Sequence, residues 1–296
     1  MSRDAQCIAV DVACDAGDVL GEGPLWNVDG GVLYWLDIER RFIHALEPER
    51  RAHERVVIQL QPSALGLRAR GGLIVAATRC LLGLDRLDGE PRVLAELTDV
   101  RSDVRFNDGE CDPQGRFWAG TTSGSDAGGA ALYRLEHDGS VTTVLRDVTI
   151  SNGLAWAPDH STLFYVDTPT GGVDAFDYDA ETGTISRRRR LIDINPRDGY
   201  PDGMTVDAEG FLWVALWGGG TVRRYRPDGR LEAIVTVPSS QPTSCCFGGK
   251  RLDQLFITSA RYGLSPEQLT REPLAGALFT CQPGVTGLPP TAVSEI

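Results

Sequence analysis

A chain of 296 residues, 42% hydrophobic and 24% charged, is long enough to bury a large core and is ordinary in composition for a soluble globular protein. Its formal net charge of -12 repels polyanions at long range, which argues against nucleic acid or anionic lipid as partner and suits the binding of metal cations. No run approaches the roughly 20 apolar residues of a membrane span. The start, MSRDAQCIAV, carries Asp4 and lacks the apolar run of a secretion signal, so a cytoplasmic location is expected.

In chain order, the segment Ile8 to Val12 is β-prone and is expected to pair with the last element of the fold. A short apolar-aromatic strand then recurs six times, as Val32–Leu36, Gly72–Ala76, Gly115–Ala119, Thr162–Val166, Gly210–Val214 and Gln254–Thr258. The middle residues Tyr34, Ile74, Phe117, Phe164, Leu212 and Phe256 are separated by 40, 43, 47, 48 and 44 residues. That period is the length of a four-stranded propeller blade. Each copy is followed by a hairpin-like segment; Asp138-Gly139 and Asp228-Gly229 mark turns of this kind. Strands dominate, with one short helical turn at Ser265 to Leu269. Residues 1–296 therefore read as one all-β domain, a six-bladed β-propeller; a β-sandwich would give no reason for six evenly spaced copies.

Several features read as structural. Arg187 to Arg190 form the one basic run, expected at a solvated hairpin tip beside Thr182-Gly183. Seven cysteines, an odd count with no CxxC pair, suggest reduced and mostly buried thiols, with neighbours Cys245 and Cys246 pointing to opposite faces of a strand. His44, His53, His137 and His160 fall in hairpins or turns and read as surface residues, which leaves a Ser-His-Asp triad without a base. Gly218 to Gly220 read as a tight turn, and Trp217 before them as a core residue rather than a sugar platform.

In a propeller the innermost strands line a central channel, and the residues where they start collect at one end of it. Just upstream of the repeats stand Glu22-Gly23, Asn107-Asp108-Gly109, Asn152-Gly153 and Asp202-Gly203, with Ser63 and Ser244 near the same phase in blades two and six. Taken singly, Asn-Gly and Asp-Gly are turn signals. Four in phase on a shared axis supply oxygen donors only: the carboxylates of Glu22 and Asp202 and the amides of Asn107 and Asn152. Such a set suits one hard divalent cation, calcium, magnesium or manganese; zinc also accepts carboxylate.

In their local context these segments resemble the senescence-marker-protein/gluconolactonase (regucalcin-like) family. The matching stretches are Gly21-Glu22-Gly23-Pro24, Arg105-Phe106-Asn107-Asp108-Gly109, Ile150-Ser151-Asn152-Gly153-Leu154, Pro201-Asp202-Gly203-Met204, Val173 to Asp179 and Ser244 to Gly249. The resemblance implies a six-bladed propeller with one metal held by Glu22, Asn152 and Asp202. It further implies that Arg105 and Asn107 contact the substrate and that Asp202 doubles as general acid/base. The chain departs from the animal members after Thr121, and Ser125 stands where those members carry a substrate-facing acid. The stretch Ser259 to Ser265 is closer to bacterial sugar-acid lactonases.

The expected activity is metal-assisted hydrolysis of a small sugar lactone by a monomer or weak dimer. The rival is a non-enzymatic calcium-binding propeller. A phosphotriesterase-type propeller would need a ring histidine, and none has that phase.

Overall fold

Each of the six apolar-aromatic repeats is the second strand of its own antiparallel sheet. The computed structural model describes residues 6–124 and 127–294. From the axis outward, blade one runs Gly21–Asn27, Val32–Asp37, Phe42–Glu47 and Ala52–Val57, and blade two Pro62–Leu67, Leu73–Ala77, Cys80–Leu84 and Arg92–Glu96. Blade three runs Arg105–Cys111, Phe117–Thr122, Ala130–Leu135 and Val141–Val148, and blade four Ser151–Trp156, Thr162–Asp167, Gly172–Asp179 and Thr184–Asp193. Blade five runs Tyr200–Val206, Leu212–Trp217, Thr221–Tyr225 and Leu231–Thr236; blade six has Pro242–Gly248, Gln254–Ser259 and Leu278–Cys281. Every innermost strand packs on those of the two flanking blades, and the first meets the sixth, so the ring is closed. The fold is an all-β, six-bladed β-propeller.

The fourth strand of blade six comes from the N-terminus. Asp11–Cys14 pairs antiparallel with Leu278–Cys281, with Val12 opposite Phe279. This is the closure expected of the N-terminal segment, with one difference. Gln6–Ile8 does not join blade six but adds in parallel to Leu231–Thr236 of blade five, so the segment is shared between two blades.

The core lies between blades and is built chiefly from their three inner strands. Trp35, Trp118 and Trp213, all on second strands, are fully buried. An indole cannot be buried cheaply without a partner for its N–H. Each donates to a buried carboxylate, of Asp18, Asp112 and Asp207, at 2.8, 2.9 and 2.9 Å. Asp112 and Asp207 stand just after innermost strands. Their other oxygens accept from the backbone of the following turn, at Gln114 and Arg116 and at Glu209 and Phe211. Arg116 and Arg224 complete these two networks, donating from Nε at 2.7 and 2.8 Å. The networks brace the turns that follow the channel-lining strands.

Four expectations are corrected or refined. The basic run lies on the outermost strand of blade four, not at a hairpin tip; Arg188 and Arg190 grip Asp174, and Arg187 and Arg189 grip Asp177, across the strand pair. His44 is fully buried, stacked on Trp35 with ring centroids 4.5 Å apart and facing Asp18, because it sits on an inward-pointing position of its strand. All seven cysteines are free, but only Cys111, Cys245 and Cys281 are buried. The helical turn spans Pro266–Arg271, with Ser265 as its N-cap in a reciprocal bond pair with Gln268. Ser125 lies outside the described residues.

Candidate functional site

All six innermost strands carry a register break at the same point of their pairing with the second strand. It falls between Glu22 and Leu25, Pro62 and Ala64, Phe106 and Gly109, Asn152 and Leu154, Pro201 and Met204, and Pro242 and Ser244. A bulge inserts an unpaired residue and re-aims side chains. Here it lies at or beside Glu22, Ser63, Asn107, Asp108, Asn152, Asp202 and Ser244. The glycines make room for the neighbouring blade. A Cβ on Gly153 would sit 2.7 Å from the carbonyl oxygen of Asp202, and one on Gly203 would sit 2.2 Å from Ser244 Oγ. Glycine before the pleat resumes is thus a packing requirement of the narrow axis.

The amides of blades three and four are joined directly. Asn107 Nδ2 donates to Asn152 Oδ1 at 3.0 Å and to the Ser151 carbonyl at 2.9 Å. Asn152 Nδ2 donates to Thr168 Oγ1 at 2.7 Å, and Thr168 Oγ1 donates to the Pro201 carbonyl at 2.8 Å, next to Asp202. Arg105 Nη1 donates to the Phe106 carbonyl at 2.8 Å and to Asn107 Oδ1 at 3.1 Å. A single chain of contacts therefore links Arg105, Asn107, Asn152, Thr168 and the Pro201 carbonyl across three blades.

The carboxylates share one electrostatic environment. Burial pushes Glu22 well above the usual carboxylate range, and the charges of Asp202 and Asp108 push it further; the Gly23 N–H and Arg105 pull the other way. Asp202 is likewise raised, first by burial and then by Asp108. Burial lifts Asp108 to about 6, against the hydrogen bond from the Gly109 N–H at 2.7 Å. Glu110, further along the channel, is raised to about 7 by burial and by Asp108. Burial lowers Arg105, opposed electrostatically by Glu39, Glu22 and the Tyr262 phenol.

Glu22, Asp202, Asn107, Asn152 and Arg105 thus belong to one neighbourhood. Asp108 belongs to it too and was not among the expected donors. The sequence carried the signal, since Asp108, not Asn107, is the residue directly before glycine, as Glu22 and Asp202 are. Glu110, Glu39, Tyr262 and Thr168 had no comparable mark. Among the described residues no three His, Cys, Asp or Glu side chains gather into a metal cluster, so an ion on the axis needs an amide such as Asn152. The donors fit a hard cation: buried, mutually repelling carboxylates with neutral amide oxygens beside them. A cavity of about 40 Å³ follows along the channel, lined by Leu25, Leu65, Asp108, Glu110, Leu154 and Met204. One of about 360 Å³ adjoins the ends of the innermost strands, near Trp26, Trp156 and Pro289, away from the ring. Trp217, half-buried at the end of its strand, joins neither.

Fold and ring define a class: six-bladed propellers with carboxylates and amides gathered on the axis. The chain belongs to the SMP-30/gluconolactonase/LRE-like family, whose model matches residues 20–261. It is 38% identical to regucalcin of Oryctolagus cuniculus over 278 residues, covering 91% of this chain and 93% of that protein. It is 36% identical to the Bacillus subtilis protein named "Putative sugar lactone lactonase YvrE", covering 93% of this chain and 95% of that one. Among solved structures, the calcium-binding protein regucalcin from Agrobacterium tumefaciens superposes with a TM-score of 0.92 at 30% identity, covering 98% of this chain and 99% of that one. No helix among the described residues is long and apolar enough to cross a membrane.

Proposed function

We propose that this protein is a sugar lactonase, that Glu22, Asn152 and Asp202 hold one divalent cation, and that its substrate is an aldonolactone opened to the aldonic acid. The supporting observation is the cluster of carboxylates raised by burial and by one another's charge at the axis of a lactonase-family propeller. When bound, a divalent cation there supplies Lewis-acid polarisation of a carbonyl oxygen.

The chain's own groups divide the remaining work. Asp202 takes a proton from the attacking water and returns it to the leaving ring oxygen. Its raised affinity for protons suits a group that must hold one and give it up. Arg105 stays charged and offers a planar fork of donors; Asn107 aims it by accepting from Nη1. Asn107 and Asn152 both donate and accept, as a polyol ring requires.

The test is a panel of glucono-, galactono-, arabinono- and xylonolactone assayed after chelation and after return of calcium, magnesium, manganese or zinc. Hydrolysis that returns with a cation supports the reading. Cation binding without turnover of any lactone or ester would instead favour a calcium-binding propeller, the name carried by the Agrobacterium relative.

A further inference from the structure

A second group of ligating side chains lies far from the axis, where the ring is closed. Cys14 ends the N-terminal strand that completes blade six, and His53 stands on the outermost strand of blade one. Their side chains meet, with Cys14 Sγ 3.6 Å from His53 Nδ1. The contact heads a chain running inward. His53 Nε2 lies 2.9 Å from His44 Nδ1, His44 Nε2 lies 3.2 Å from Asp18 Oδ1, and Asp18 Oδ2 accepts from Trp35 Nε1 at 2.8 Å. The two imidazoles and the Trp35 indole stack nearly parallel, within 15° of one another.

Asp18 sets the polarity of this chain. A carboxylate accepts hydrogen bonds and gives none. The carboxylate favours the tautomer that carries the proton on the His44 nitrogen facing it, although the two atoms, 3.2 Å apart, make no hydrogen bond. In that tautomer His44 Nδ1 is the acceptor and His53 Nε2 the donor to it. That leaves the lone pair of His53 Nδ1 directed at the Cys14 sulfur. An imidazole fixed through its other nitrogen by a hydrogen-bonded partner is the usual arrangement of a metal-ligating histidine.

We propose that Cys14 and His53 form a second cation site, selective for a soft or borderline divalent ion of the zinc type, which clamps the ring-closing strand to blade one. The spacing fits. With Zn–S near 2.3 Å and Zn–N near 2.0 Å at a tetrahedral angle, sulfur and nitrogen stand about 3.5 Å apart. The charges act in both directions. The negative field of Asp18 and Asp15 attracts a cation, while burial first and that field second push the Cys14 thiol up to about 11, so the ion must displace a firmly held thiol proton. Burial and His44 lower His53, which keeps it neutral and able to ligate. Among the described residues no third His, Cys, Asp or Glu completes the set. Water fills the other positions, and the ion exchanges with solvent, since His53 is exposed and Cys14 half-buried. Binding releases the thiol proton to solvent.

Cobalt(II) is a suitable probe, because its thiolate charge-transfer band reports sulfur ligation and ignores an all-oxygen site. Titration of the full-length protein should produce that band, with one sulfur-ligated cobalt at saturation besides the cation on the axis, and Asp202→Asn should leave the band's final intensity unchanged. Cys14→Ser should abolish it, and His53→Gln should weaken cobalt binding at least tenfold. Zinc should raise the melting temperature of Asp202→Asn but not of the double variant Asp202→Asn/Cys14→Ser. Absence of the band in the wild type, or its survival in Cys14→Ser, overturns the site. Should Cys14→Ser fail to fold, His53→Gln decides alone, and unchanged cobalt affinity in it overturns the site equally.

Discussion

Asn107 Nδ2 and Asn152 Oδ1 meet at 3.0 Å, so an amide of blade three holds in place the amide that blade four presents to the axis. Asn152 has one other anchor, Thr168. Replacing Asn107 with Ala removes a group that orients a proposed ligand and one that steers Arg105. A change of this kind costs about 10–100-fold in metal affinity. Calorimetric titration of the Asn107→Ala protein with calcium or zinc should show that loss, along with a higher KM. Wild-type affinity would mean that Asn152 needs no such support.

Asp202→Asn separates chemistry from folding. Loss of a general acid/base costs about 10²–10⁴ in rate, and kcat on the best lactone should fall by that much. The metal-free variant should be more stable than metal-free wild type, because a buried carboxylate facing Asp108 and Glu22 is gone. Near-normal turnover would remove Asp202 from the mechanism.

The pH dependence of the stripped protein carries a sign. Glu22 and Asp202 are raised, Asp108 to about 6 and Glu110 to about 7. Unfolded carboxyls titrate near 4. The folded state then binds more protons than the unfolded one between those limits, so these groups cost stability as pH rises through the window. A cation on the axis offsets that cost. The gap in melting temperature between loaded and stripped protein should widen from pH 4 to pH 7; a constant gap would mean that the ring carboxylates do not face the ion.

Asp112 tests the scaffold alone. It accepts from Arg116 Nε, Trp118 Nε1, the Tyr178 hydroxyl and two backbone N–H groups, with its side chain fully buried. Asp112→Ala leaves the buried Arg116 charge without its carboxylate, with only the Tyr178 hydroxyl and the Ala180 and Glu181 carbonyls as partners, a change that costs about 3–5 kcal/mol. Urea unfolding should show it; a loss below about 1 kcal/mol would mean that those neutral partners suffice for Arg116.

Blade count and ring phase were legible because they rest on local signals. The apolar-aromatic repeat needs only period and turn chemistry, and it fell on the second strand of every blade. The pairs Glu22-Gly23, Asn152-Gly153 and Asp202-Gly203 were legible because a narrow axis demands glycine beside each inward side chain. Features made by side-chain contact between neighbouring strands were not legible. Nothing near His44 in sequence announces that Asp18 and Trp35 will bury it, and nothing near Arg187 to Arg190 shows that Asp174 and Asp177 will face them. Asp108 was passed over for a different reason: its amide neighbour Asn107 drew attention from a carboxylate in the better register.

Blade six is assembled from both halves of the chain, and that has a consequence for synthesis. Asp11–Cys14 is made before any blade, yet its partner Leu278–Cys281 emerges only after five blades have been made. Until then the early strand is an open edge, of the kind that invites pairing with a foreign strand. The parallel attachment of Gln6–Ile8 to blade five gives the waiting segment a docking place one blade earlier. Removing residues 6–8 should therefore slow closure and increase aggregation during expression, while changing the finished ring far less.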